Sequence, residues 1–162
     1  MGYDVEAWHD LCVAAAGAAA ALAGLVFVAV SINVERILQY SWLPSRALRT
    51  VLLLIGIVIA CVFALAPQSA DALGVELLVL GAVFATVLLR SALRHPGDRS
   101  VTGAGTFQQS LPELIGTVPF AIAGLTLLIG SGGGLYWMLA GIVCATLGAV
   151  LNAWVLLVEI LR

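Results

Sequence analysis

Between Leu11 and Ile32 the chain carries no charged residue. As a helix rising ~1.5 Å per residue, that run is long enough to cross ~30 Å of hydrocarbon. Only a helix or a closed barrel satisfies its own backbone there. Read with its flanks, this first helix covers about 7–37. Four more apolar runs follow, over about 46–66, 71–92, 111–130 and 135–161, with a polar stretch at about 93–110. Soluble domains are ~25% charged. This chain is 10% charged and 62% hydrophobic over 162 residues, which leaves no room for a separate soluble domain. The expected fold is all-α: one integral membrane five-helix bundle spanning residues 1–162.

The punctuation between the runs is plain. Pro44 is placed to open the second helix, because its fixed φ suits a first turn. Pro67 stops that helix, and Ser69 is an N-cap candidate for the third. Gly103-Ala104-Gly105 reads as flexible loop. Ser110-Leu111-Pro112-Glu113 reads as a capping box that starts the fourth helix. Ser131-Gly132-Gly133-Gly134 reads as a tight turn, and Pro119, between Gly116 and Gly124, as a kink.

Charge placement predicts orientation. All seven basic residues are Arg. Arg36, Arg46 and Arg49 fall at the first connection, Arg90, Arg94 and Arg99 at the third, and Arg162 at the C-terminus. Asp4, Glu6, Asp10, Asp71 and Glu76 fall at the opposite ends of the runs. Five spans with the N-terminus outside and the C-terminus in the cytoplasm put every Arg on one side of the cytoplasmic membrane. Trp8, Tyr136 and Trp137 then form an outer aromatic belt, and Tyr40 and Trp42 an inner one. The acidic start of the chain lacks the basic region of a signal peptide.

Two helices carry stripes spaced 4, 3, 4, 3 and 4 residues apart. The first is Gly17, Ala21, Gly24, Val28, Ser31, Glu35, and the second is Gly141, Ala145, Gly148, Asn152, Val155, Glu159. Small residues at this period let helices approach closely. The expectation is that the first helix is the packing centre and lies beside the fifth. Gly17, Ala21, Gly24, Gly141, Ala145 and Gly148 would then be contact or oligomer positions. Asn152 would come near Val28 and Ser31, and Glu159 near Glu35 and Arg36.

That arrangement gathers Ser31, Asn33, Glu35, Arg36, Asn152 and Glu159 at the inner end. A polar vestibule or an ion or proton site is one reading, since ionisable groups in membranes default to function. The other is structural, with Glu35 and Arg36 at the headgroups and Asn152 in an interhelical hydrogen bond. Asn33 and Glu35 sit about 200° apart around the helix and cannot both line one cavity. Glu76 is either an outer ion ligand or a carboxylate reaching to water. Arg90, Arg94 and Arg99 suit anionic lipid or a cytoplasmic partner.

The remaining chemistry is excluded or unsupported. A net charge of −2 offers no basic face for nucleic acid. Cys12, Cys61 and Cys144 lie in apolar runs with no paired spacing and read as small buried hydrophobes. His9 and His95 fall on opposite sides of the membrane, so no metal, haem or other cofactor site is expected. No nucleophile elbow or phosphate loop is present, so no enzyme is expected.

At Trp8-His9-Asp10, the Ala/Gly-rich helix and Ser31-Ile32-Asn33-Val34-Glu35-Arg36-Ile37-Leu38, the chain resembles a group of small multi-span membrane proteins of actinobacteria. The resemblance covers most of its length. Some members of the group carry the label "modulator of the FtsH protease", which implies a multi-span, inhibitor-like partner of a membrane protease. The functional expectation is therefore a non-enzymatic membrane protein acting by helix packing, as a homo-oligomer or as an accessory subunit of a larger complex. The alternative is an oligomeric ion channel or small transporter with a polar cytoplasmic mouth.

Overall fold

A computed structural model describes the backbone over 2–40, 43–94 and 103–161, and side chains over 2–40, 43–87, 90 and 115–158. These residues are helical throughout, apart from turns. A 3-10 turn, Glu6–Trp8, leads into α1 (His9–Ile32). Then come a short α2 (Val34–Leu38), α3 (Leu43–Leu65), α4 (Ala70–Arg94), α5 (Gly103–Ile129) and α6 (Leu135–Leu161). Four of the helices are long and apolar enough to cross a membrane: Glu6–Ile32, Leu43–Leu65, Ala70–Val87 and Leu135–Val158. A shorter apolar stretch, Ile115–Ile129, lies in α5.

The helix expected over 7–37 is broken at Asn33, whose backbone sits at φ −108°, ψ 19°. The Asn33 side-chain amide donates to the Ala29 carbonyl at 2.8 Å, and the Ser31 hydroxyl donates to that of Phe27 at 2.8 Å. Such side chains compete with the helix ladder and favour its ends. The chain then turns so that Ile37 of α2 is buried with Leu43 and Ala47 of α3 and Leu156 of α6.

At its other boundaries the chain follows its local chemistry, with one exception. Pro44 lies in the first turn of α3, and the Ala72 N–H donates to the Ser69 hydroxyl at 3.3 Å, capping α4. Gly130, Gly132, Gly133 and Gly134 all have positive φ, as a reversal this tight between α5 and α6 requires. The exception is the start of α5. The helix begins at Gly103, so Gly103-Ala104-Gly105 is helical backbone, and Ser110 to Glu113 lie inside a helix rather than at its cap. The expected loop thus shrinks at both ends, because α4 also runs on to Arg94. Residues 95–102, including His95 and Arg99, lie outside the described residues, as do Trp42 and Arg162.

The packing centre is α3, not α1. Of the residues in the apolar stretches, 44% are buried in α3 and 11% in α1. α3 touches every other long helix, whereas α1 leans almost wholly on α3 and barely meets α6. The tightest contact is between α4 and α5, where glycines set the spacing. A Cβ on Gly81 would lie 2.6 Å from the Ala121 nitrogen, and one on Gly124 would strike the Gly74 carbonyl oxygen and come 2.5 Å from the Leu78 nitrogen.

The two ends of the bundle differ in charge. Asp4, Glu6, Asp10, Asp71 and Glu76 lie at the end holding the α3–α4 and α5–α6 turns, here called the acidic end. Arg36, Arg46, Arg49 and Arg90 lie at the other, the arginine end, with Glu35 among them. Residues 2–3 are fastened at the acidic end. The Leu135 N–H donates to the Gly2 carbonyl at 2.8 Å, and the Gly133 N–H donates to the Tyr3 hydroxyl at 3.0 Å. Trp8 meets Tyr136 edge-on, with ring centroids 5.0 Å apart.

Candidate functional site

α1 is apolar around its circumference, so its sequence marks no inner face. The structure selects Cys12 and Ala19, with Ala15, Ala16, Leu22, Ala23 and Val26 beside them, to face the bundle. The 4-3-4-3-4 stripe lies on the far side. Gly17, Ala21, Gly24, Val28, Ser31 and Glu35 are all exposed. A Cβ built on Gly17 or Gly24 would meet nothing within 4 Å. The expected pairing of this stripe with the last helix is therefore not made within the chain. Consecutive helices joined by a short connection pack antiparallel more readily than a first and a last helix side by side, and α1 takes α3.

The stripe on α6 is used, but by α5. Gly141, Ala145 and Gly148 are buried. A Cβ on Gly141 would lie 3.0 Å from the Phe120 ring, and Gly116 of α5 comes within 2.9 Å of the Ala145 Cα on the same measure. Six helical glycines (Gly56, Gly74, Gly81, Gly116, Gly124, Gly141) are thus occupied by a neighbouring helix. Gly17 and Gly24 differ from these six in having no neighbour.

The polar residues at the arginine end do not converge. Ser31 and Asn33 spend their hydrogen bonds on their own helix, and Glu35 and Arg36 are exposed on α2. Asn152 is 6% exposed and faces α3, where the Arg46 Nε donates to its Oδ1 at 3.4 Å. Its Nδ2 is buried with no partner among the described residues. Sequence reasoning missed Arg46 as the partner because α6 was paired with α1. The signal was available, since Arg46 opens a helix one turn from the same end. The Glu159 side chain lies outside the described residues.

Between α1 and α6 the loose contact leaves an open apolar cleft of about 370 Å³, lined by Leu22, Leu25, Val26, Ala29, Trp154 and Leu157 among others. At the acidic end, Glu76 accepts a 2.7 Å hydrogen bond from the Gln68 side-chain amide, which also donates to the Phe63 carbonyl at 2.7 Å. The carboxylate thereby ties the α3–α4 turn. Arg90 is an exposed helical residue of α4, and Arg94 is that helix's last residue. Comparison of the chain with family models, with curated proteins and with solved structures finds no match in any of the three.

Proposed function

We propose that this chain is a non-enzymatic, five-span protein of the cytoplasmic membrane that acts through helix packing, as a homo-oligomer or an accessory subunit. The carrying observation is the contrast among its glycines. Six helical glycines sit where another helix presses against them, and Gly17 and Gly24 present the same small surface to nothing. A membrane helix gains little from lipid contact with a bare backbone and more from a close-packed neighbour. The exposed Gly17–Ala21–Gly24 face is accordingly the docking face for a further helix. The segregation of Arg and acidic residues to opposite ends supports an N-terminus outside and a C-terminus in the cytoplasm. The 27 residues of α5 extend about 40 Å at the helical rise, which supports a fifth crossing.

Native mass spectrometry of protein extracted gently from its membrane tests the reading. Gly17→Leu and Gly24→Leu should each shift the assembly towards single chains while leaving the helical content unchanged. An assembly mass unaltered in both variants overturns it. Gly148→Leu serves as the contrast, since Gly148 is buried within the chain and its replacement should impair folding before assembly.

A further inference from the structure

Two of the three cysteines are buried in the same core cluster. Cys12 lies three residues into α1 and Cys61 four residues before the last residue of α3, so both fall about one turn from the acidic end. They are 1% and 0% exposed, and both belong to the core cluster in which α1 packs on α3. The surrounding core is built from small side chains: Ala15, Ala16 and Ala19 on α1, and Ala60 and Ala64 on α3. Small side chains bring helix backbones close. A close approach is what a disulfide needs, its Cα atoms lying about 4.4–6.8 Å apart. Cys144, half-buried on α6, belongs to a different helix.

We propose that Cys12 and Cys61 form a dithiol modification site, which hydrogen peroxide converts to a disulfide that staples α1 to α3. In the first step one sulfur attacks the peroxide, the O–O bond breaks, and a sulfenic acid forms as water leaves. In the second step the neighbouring thiol displaces the sulfenic oxygen as a second water and closes the S–S bond. The two sulfurs together give up two electrons and two protons, and the two peroxide oxygens take them.

Burial decides how the reagent arrives. Neither thiol is reachable while α1 lies on α3, and a thiol sealed in apolar surroundings is inert. Yet α1 is the least covered long helix and leans on a single neighbour. Lifting its first turn from α3 releases the Gly2, Tyr3 and Trp8 contacts at the acidic end, while the contacts among α3, α4, α5 and α6 persist. Lifting exposes both thiols together, with the resolving sulfur beside the attacked one, so the sulfenic acid is captured before it oxidises further. The staple then fixes covalently the one long helix that packing holds least.

The full chain, purified in detergent, is treated with hydrogen peroxide, denatured in an alkylating reagent and mapped by mass spectrometry. The expected result is loss of two of the three free thiols, with the Cys12 and Cys61 peptides joined and Cys144 alkylated. Cys144→Ala should leave the crosslink in place, and Cys12→Ser should abolish it. The proposal is overturned if Cys12 and Cys61 both stay free while the unfolded chain oxidises, or if a crosslink within the chain persists in Cys12→Ser. The wild-type measurement stands by itself, so a variant that fails to fold does not weaken the test.

Discussion

Glycine is used in two opposite ways in this chain, and single methyl groups separate them. Gly124 sits against the backbone of α4, with its would-be Cβ on the Gly74 carbonyl oxygen. Backbone cannot yield as a flexible side chain does, so Gly124→Ala must push α4 and α5 apart. Overpacking of this kind costs about 1–3 kcal/mol. Gly24 has open space in the same place. Gly24→Ala removes only the helix penalty of glycine, about 0.5–1 kcal/mol. Thermal melts of the monomeric protein in detergent should therefore move in opposite directions, down for Gly124→Ala and slightly up for Gly24→Ala. Asn152 is a third kind of residue. A buried amide donor without a partner costs about 1–3 kcal/mol, and the Asn152 Nδ2, which has none among the described residues, lies beside the Arg46 guanidinium within an apolar bundle.

Helices were legible in the sequence where a local signal fixed them. Pro44, Ser69 and the Gly132–Gly134 run each act through their own backbone, and the helix ends fall beside them. What the sequence left open was which face of α1 turns inward. A helix of alanine and glycine is small on every side, so a period that fits the bundle can be traced on the face that leaves it. Cys12, Ala19 and Val26 repeat as well as Gly17 and Gly24 do, and only the position of α3 chooses between them. The start of α5 failed for a related reason, since glycines and a capping-box pattern are weak stops when the residues between them accept a helix. The α3–α4 turn offers a test at this scale. Gln68→Leu deletes the bonds to Glu76 and to the Phe63 carbonyl, leaving the carboxylate without that donor. A hydrogen bond to a charged group contributes about 1.5–3 kcal/mol, so a melt lowered by an amount of that order is expected, with assembly unchanged.

For the whole molecule, the separation of charge between the two ends predicts how it sits. A cysteine introduced by Asp4→Cys, in a chain whose native cysteines are replaced, should react with an impermeant maleimide on intact cells. One introduced by Arg90→Cys should react only after lysis, and labelling with the opposite preference reverses the assigned orientation. The fastening of residues 2–3 at the acidic end carries a consequence in time. Tyr3 is held by the Gly133 N–H and Gly2 by that of Leu135. The ribosome adds only about 5–20 residues per second, so this segment waits several seconds for its seat to be made. It leaves the ribosome well before Gly133 and Leu135 and settles only after them, which makes its docking a report that the α5–α6 hairpin has formed.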